Sequence, residues 1–353
     1  MKKVLLTLLV ITLLIMLCGC SAGSTTSNDK QRNIDAVNIA LDGEVAYHNG
    51  YVYYIYDEDQ VWKSDLKSDI ANRVFSHEWI KKICVQQDAI YFATSEYVTG
   101  IGSRYAIYAY NFETQQKVKL VDVDKLVGLL AYNDNCLYYT VDDTMYEYDL
   151  STKQTIAFVD APIHTFTCSA SGIYYVTKDN NGGTLYRMEN RTSEPAQICV
   201  LPKTDFYEHE VDLLYVIDNT VYVRKRHNID GDTCYSSRMY QFKLPNQNEA
   251  INFEYVEDVH AIIPAPDGKG HYYLLAIQSE SAKDNFIRYF SHINPNSAYL
   301  ASYHAARLAY CVNESDLIKE VDSSYIYYSG FYLAEDSIIL KPSYGNEYFL
   351  FSK

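Results

Sequence analysis

The chain has 353 residues with 45 Asp and Glu against 30 Lys and Arg, a formal net charge of −15. So acidic a balance argues against a nucleic-acid binder and against a protein that docks on anionic headgroups, since both present basic patches. The 36 Tyr against two Trp and 15 Gly point to strands, because a Tyr ring packs on a pleated surface while its hydroxyl stays wet at the sheet edge.

Lys2 and Lys3 open the chain, and Val4 to Leu17 is an almost unbroken apolar run, the layout of a secretory leader. Its 14 residues fall short of the roughly 20 that span a bilayer as a helix, so cleavage is expected. The run ends in Leu17-Cys18-Gly19-Cys20, which resembles the lipobox of bacterial lipoproteins, with Cys20 as the lipid acceptor. That resemblance implies a signal peptide over residues 1–19, a diacylglyceryl thioether on Cys20, and a mature chain anchored in the cell membrane and facing outside the cytoplasm. Each buried CH₂ of such an anchor contributes about 0.8 kcal/mol, and two acyl chains hold a protein stably where one does not. Loss of Lys2 and Lys3 with the leader lowers the net charge to −17. Residues 20–32 carry almost no apolar side chain and read as a flexible tether. Plain secretion with an incidental Cys20 is the simpler alternative.

From residue 33 onward one signature recurs: turn-forming residues, an aliphatic residue or close substitute, then Tyr, usually with a second aromatic. It is met at Tyr53, Tyr91, Tyr138, Tyr174, Tyr222, Tyr272 and Tyr327, spaced by 38, 47, 36, 48, 50 and 55 residues. Most copies continue into a second alternating segment and a turn, as in "VWKSDLKS" from Val61 and "MYEYDLST" from Met145, then a further strand such as "QTIAFVDA" from Gln154. With a short strand ahead of each signature, such as "HTFTCSA" from His164, a unit holds four strands. Alternation of period two puts apolar residues on one face and charged ones on the other.

Residues 33–353 shared among seven units give about 46 residues each, within the range of propeller blades. A lone four-stranded sheet leaves its flat faces uncovered, so the units must pack around an axis. The reading is an all-β protein, a β-propeller of about seven four-stranded antiparallel blades over residues 33–353. "NIDAVNIAL" from Asn33 is expected to supply a strand to the last blade and close the ring with "YGNEYFLFSK". Helical spacing is met in "LVDVDKLVGLLAYN" and "YHAARLAYCV", and short helices there would not change the class.

The blades resemble those of bacterial extracytoplasmic lipoproteins related to the YWTD propeller of the low-density-lipoprotein receptor. "YEYDLST" and "YAYNFET" match that group's strand and turn, while a YWTD tetrapeptide is absent. The resemblance implies a fold more than a function, since propellers host enzymes and binding modules alike.

Motifs that carry chemistry are sparse. Six cysteines follow Cys20, with no CxxC pair, and runs such as "KKICVQQ" and "AQICVLP" place them as small buried hydrophobes even though export permits disulfides. His164 stands at a ligand-like distance before Cys168, but no second pair completes a zinc site. There is no HExxH, GxSxG, P-loop or GxGxxG. "HNIDGDT" from His227 holds a fragment of a calcium loop without its third carboxylate and distant Glu. No catalytic residue, metal or cofactor is assigned.

Within each blade the link between second and third strands falls on one rim. It is short in "YDEDQ" and "VDDT" but long in "TSEYVTGIGSRY" from Thr94, "RKRHNIDGDTCYSSR" from Arg224 and "IQSESAKDNF" from Ile277. Long loops are often functional, and Tyr and Arg favour recognition. Tyr97, Arg104, Arg226, Tyr235 and Arg238 therefore form the candidate ligand face, against the plainer reading of solvated hairpin tips. Arg224, Lys225, Arg226 and Arg238 make the one dense basic cluster of the sequence.

The expected function is a monomeric, membrane-anchored binding or scaffold module for a protein or glycan partner, without nucleic acid. The alternative is an extracytoplasmic polysaccharide hydrolase or lyase with its site at the channel mouth. A pocket there with convergent carboxylates, His or a metal favours the enzyme; a shallow Tyr-rich rim favours binding.

Overall fold

The computed structural model describes residues 27–65, 71–100, 102–179, 182–203, 209–228, 235–245, 250–257, 259–264, 271–276, 306–311, 319–320, 328–335, 337–342 and 349–352. Cys20, Tyr327, the link from Ile277 and the calcium-like fragment 229–234 lie outside them.

Five successive four-stranded antiparallel sheets follow one another along the chain. The first holds β1 (Val45–His48), β2 (Tyr51–Tyr56), β3 (Gln60–Asp65) and β4 (Ala71–Ser76), and the second β5 (Ile80–Val85), β6 (Ala89–Val98), β7 (Gly102–Asn111) and β8 (Lys117–Val123). The third is β9 (Val127–Asn133), β10 (Cys136–Val141), β11 (Thr144–Asp149) and β12 (Gln154–Ala157); the fourth is β13 (Ile163–Ser169), β14 (Gly172–Thr177), β15 (Thr184–Met188) and β16 (Ala196–Val200). The fifth is β17 (His209–Ile217), β18 (Thr220–Asn228), β19 (Tyr235–Lys243) and β20 (Glu254–Glu257).

The remaining strands join in one seven-stranded sheet: β21 (Val259–Pro264), β22 (His271–Ala276), β23 (Ala306–Cys311), β24 (Lys319–Glu320), β25 (Tyr328–Leu333), β26 (Ser337–Pro342) and β27 (Phe349–Ser352). A single residue pair, Ala306 with Tyr328, links its β21–β24 part to its β25–β27 part, so it reads as two blades meeting at one point.

The signature tyrosines fall on the second strand of each sheet, Tyr53 on β2, Tyr91 on β6, Tyr138 on β10, Tyr174 on β14, Tyr222 on β18 and Tyr272 on β22. The turn residues before them have a physical role. Asn49-Gly50, Asp134-Asn135 and Asp218-Asn219 all have positive φ at both positions, the geometry of the two-residue hairpin whose twist matches its strands.

Facing sheets interlock through apolar side chains: Val61 and Phe75 of the first sheet pack with Ile83, Ile90 and Phe92 of the second, and Phe75 stacks 4.6 Å from the Tyr110 ring. Fully burying such a side chain contributes roughly 1.5–3 kcal/mol, which is how sheets with two uncovered faces become stable as a ring. Cys84, Cys136 and Cys168 are buried within these layers as free thiols, and Cys199 is a half-buried one.

The N-terminal segment departs from expectation. Instead of a strand closing the last blade, residues Ser27–Ala40 form a helix, α1, which begins inside the stretch read as tether. It packs against β1, β9, β13 and β17, the first strands of four sheets, and against β25 of the seven-stranded sheet, and so fills the channel. Its 14 residues give about 21 Å, close to the length of a six-residue strand, so it runs from rim to rim.

Ile34, Val37 and Ile39 are buried, and so is Asn38, whose Nδ2 donates to the Leu333 carbonyl (2.9 Å) while its Oδ1 accepts from the Leu333 N–H (2.6 Å). Near its start, Gln31 donates to the Tyr47 carbonyl, Arg32 pairs with Asp134 at 3.1 Å and Asn33 donates to Asp218 at 3.3 Å, all on first-to-second-strand hairpins. The two stretches with helical spacing are extended: "LVDVDKLVGLLAYN" supplies parts of β8 and β9, and "YHAARLAYCV" contains β23.

Candidate functional site

Helix α1 ends at the opposite rim. There the chain turns through Asp42 and Gly43, where the Gly43 N–H reaches the Asn38 carbonyl (2.9 Å) and the Asp42 N–H the Ile39 carbonyl (3.3 Å), the paired bonds of a Schellman cap. Above this cap opens a cavity of about 490 Å³. Its floor is Ala40, Leu41 and Asp42, and its walls come from the starts of β9, β13 and β17 and the ends of β10 and β18. This is the mouth of the channel, on the rim that carries the second-to-third-strand hairpins.

The polar groups of the mouth are arranged around Asp212 of β17. Arg224 donates to it twice, Nε to Oδ1 at 2.8 Å and Nη2 to Oδ2 at 2.7 Å, and Arg226 Nε lies 2.7 Å from Oδ2. Glu210 lies opposite Arg226 in the strand register and also lines the cavity. Asp142 pairs with Lys125 at 2.6 Å.

His164 completes the ring of polar groups. Burial and then the charges of Lys178 and Lys225 push its imidazole down to about 4, so it is neutral at physiological pH, and its buried Nδ1 has no hydrogen-bond partner among the described residues. Asp142, Glu210 and Asp212 with the carbonyl end of α1 make the mouth net acidic despite its two arginines.

Of the five residues expected to build a ligand face, Arg226 alone lines this cavity. Arg238 lies on β19 with its guanidinium 5.1 Å over the Tyr255 ring, and Tyr235 begins the same strand. Tyr97 and Arg104 are exposed on the hairpin of the second sheet, away from blade five. The five thus lie on two blades, Tyr97 and Arg104 on the hairpin of the second sheet and Arg226, Tyr235 and Arg238 on that of the fifth.

The described parts of two of the long links are strand, not loop. In the second sheet the ladder continues through the link, with Glu96 paired to Arg104, Tyr97 to Ser103 and Val98 to Gly102. The basic cluster is not a surface patch: Arg224 is 6% and Lys225 0% exposed, and Lys225 donates its Nζ to the Pro202 carbonyl at 2.8 Å. Burial holds the Lys225 amine down to about 8.

His164 was legible only as a lone histidine; its place at the mouth depends on segments far apart in sequence. Among the described residues one group has the spacing for a metal, Cys136, Glu147 and Asp149, but Arg191 fills it, with Nη2 2.8 Å from Glu147 and Nη1 2.7 Å from Asp149. That cluster is an ionic tie between the third and fourth sheets.

Sheets of four antiparallel strands set around a filled channel define a β-propeller. No family model and no curated protein matches the chain. Solved structures of the same architecture do. The N-terminal domain of Nup159 is similar with a TM-score of 0.53 at 12% identity, covering 90% of this chain and 91% of that one. The extracellular domain of the one-component system BT4673 from B. thetaiotaomicron gives 0.56 at 14%, covering 87% of this chain and 37% of that one. An oligogalacturonate lyase from Vibrio parahaemolyticus gives 0.51 at 10%, covering 66% and 74%. At these identities the likeness is one of fold.

Proposed function

We propose that this chain is an extracytoplasmic binding module, held to the membrane by a lipid on Cys20, that takes a protein or glycan partner at the mouth of its channel. The observation that carries the reading is the polar cavity of about 490 Å³ floored by the end of α1, within the size range of small-ligand sites. Its cations are held in fixed positions by Asp212, which suits recognition by preorganised groups. No described helix is long and apolar enough to cross a membrane, in keeping with attachment by lipid. Because α1 starts on the far rim, a tether leading into Ser27 would turn the cavity away from the membrane.

A second reading has its own observation. His164 and Glu210 line the same cavity, so a polysaccharide hydrolase or lyase has a base and an acid to draw on. Against it, an imidazole titrating near 4 is a weak base at neutral pH, and Asp212 and Asp142 are already paired with cations.

The test is to screen the full chain in detergent against neutral, amino and acidic oligosaccharides and to use it as bait for envelope proteins. Binding that weakens tenfold or more in Arg226→Ala supports the module. Binding indifferent to both Arg226→Ala and Glu210→Gln sinks it. Release of new sugar ends, lost in His164→Gln, establishes the enzyme instead.

A further inference from the structure

We propose that the rim of the second blade carries a separate site for a neutral saccharide, built on Trp79. Trp79 lies between β4 and β5 with φ +54, a left-handed conformation that a bulky side chain rarely adopts. The backbone is held there by the Ser95 N–H donating to the Trp79 carbonyl at 2.9 Å. Yet the side chain gains little burial in return, since the residue is 48% exposed. A strained backbone that presents an indole to water does not serve the core, and such strain collects where a ligand is held.

The surroundings identify the ligand class. Lys81 Nζ lies 5.4 Å from the indole centroid and is itself held by Glu58 at 2.6 Å. Glu78, next to Trp79 in the chain, lines a cavity of about 440 Å³ whose other walls are Asp59, Ser76, His77, Glu96 and Lys117, all polar. Tyr108 donates its hydroxyl to Glu96 at 3.1 Å, which fixes that carboxylate. Tyr97, 67% exposed, stands on the same hairpin end two residues beyond Ser95.

An exposed indole with the Lys81–Glu58 pair at its side, one residue along the chain from a polar cavity at Glu78, suits a molecule with an apolar C–H face and hydroxyl edges, which is a sugar ring. A protein partner would call for an apolar centre free of charge, and here the ring has Lys81 at its side, itself paired with Glu58. Three carboxylates against Lys117 repel an acidic sugar, so the class is neutral.

The chain's two tryptophans make the test direct. Cellohexaose and chitohexaose are titrated into the full chain in detergent while tryptophan emission and calorimetric heat are followed, with trigalacturonate as the acidic control. The expected result is a saturable emission change with a neutral hexamer, none with trigalacturonate, and at least tenfold weaker binding in Trp79→Asn. Because Asn accepts the left-handed backbone, that variant is expected to melt at the same temperature or higher. Arg226→Ala, at the channel mouth, leaves the response unchanged, which separates this site from the one proposed above. The proposal is overturned if no neutral hexamer alters the emission, if trigalacturonate acts equally, if Trp79→Asn binds as well as the original chain, or if it melts several degrees lower. Capture of an envelope protein through Trp79 without saccharide binding also overturns it.

Discussion

The two long hairpins of the described structure look alike in sequence and behave as opposites. The β6–β7 hairpin holds Tyr97 and Arg104 out in solvent, while the β18–β19 hairpin turns Arg224 and Lys225 inward and leaves Arg226 at the cavity. What differs is the neighbour. In blade five, Asp212 on β17 and the Pro202 carbonyl meet the cations, whereas Arg104 faces Glu96 across its own ladder at an exposed rim. A basic residue's role is set by which sheet face its strand presents and by what packs there.

Three substitutions grade this contrast. Asp212→Ala removes the carboxylate from a buried guanidinium and should cost about 3 to 5 kcal/mol, read as a lower urea midpoint. A loss under about 1 kcal/mol would mean that Arg224 is not held as described.

Lys225→Met gives a smaller effect with a pH signature. The folded amine titrates near 8, below the unfolded value of about 10.4, so between those pH values the unfolded chain binds the extra proton and the native state gains stability as pH rises. The melting temperature of the unaltered protein should therefore climb relative to Lys225→Met from pH 8 to 10, and parallel curves would contradict the burial of a charged Lys225. Arg104→Ala on the exposed hairpin should change stability by less than about 0.5 kcal/mol by the same urea measurement.

The strands were readable because their physics is local. Alternation sets which side chains face inward, and pairs such as Asn49-Gly50 mark hairpins, so the signature tyrosines fall on second strands in every described copy. Helix α1 was hidden for a physical reason: strands surround it, so Asn33 and Asn38 are buried alongside Ile34 and Val37, and no polar face marks it as amphipathic. The spacing of Ile34, Val37 and Leu41 was a signal that could have found it.

The alternating run "RKRH" read as a surface cluster because alternation shows that two faces differ without showing whether the second is covered. The cavity was illegible because Asp42, His164, Asp212 and Arg226 come from different elements of the ring. Trp79 gave no sign at all, since its strain appears only in the backbone angle.

The account turns on a channel filled by its own N-terminal helix, which gives the mouth a floor. Amide hydrogen exchange across Ser27–Ala40 in the full chain tests this most directly, because a free helix of 14 residues is marginal in water and exchanges fast. Protection of Ile34 to Leu41 comparable to that of β13 and β17 is the predicted result; exchange as rapid as in an isolated peptide would mean an open channel, and would contradict the site built upon it.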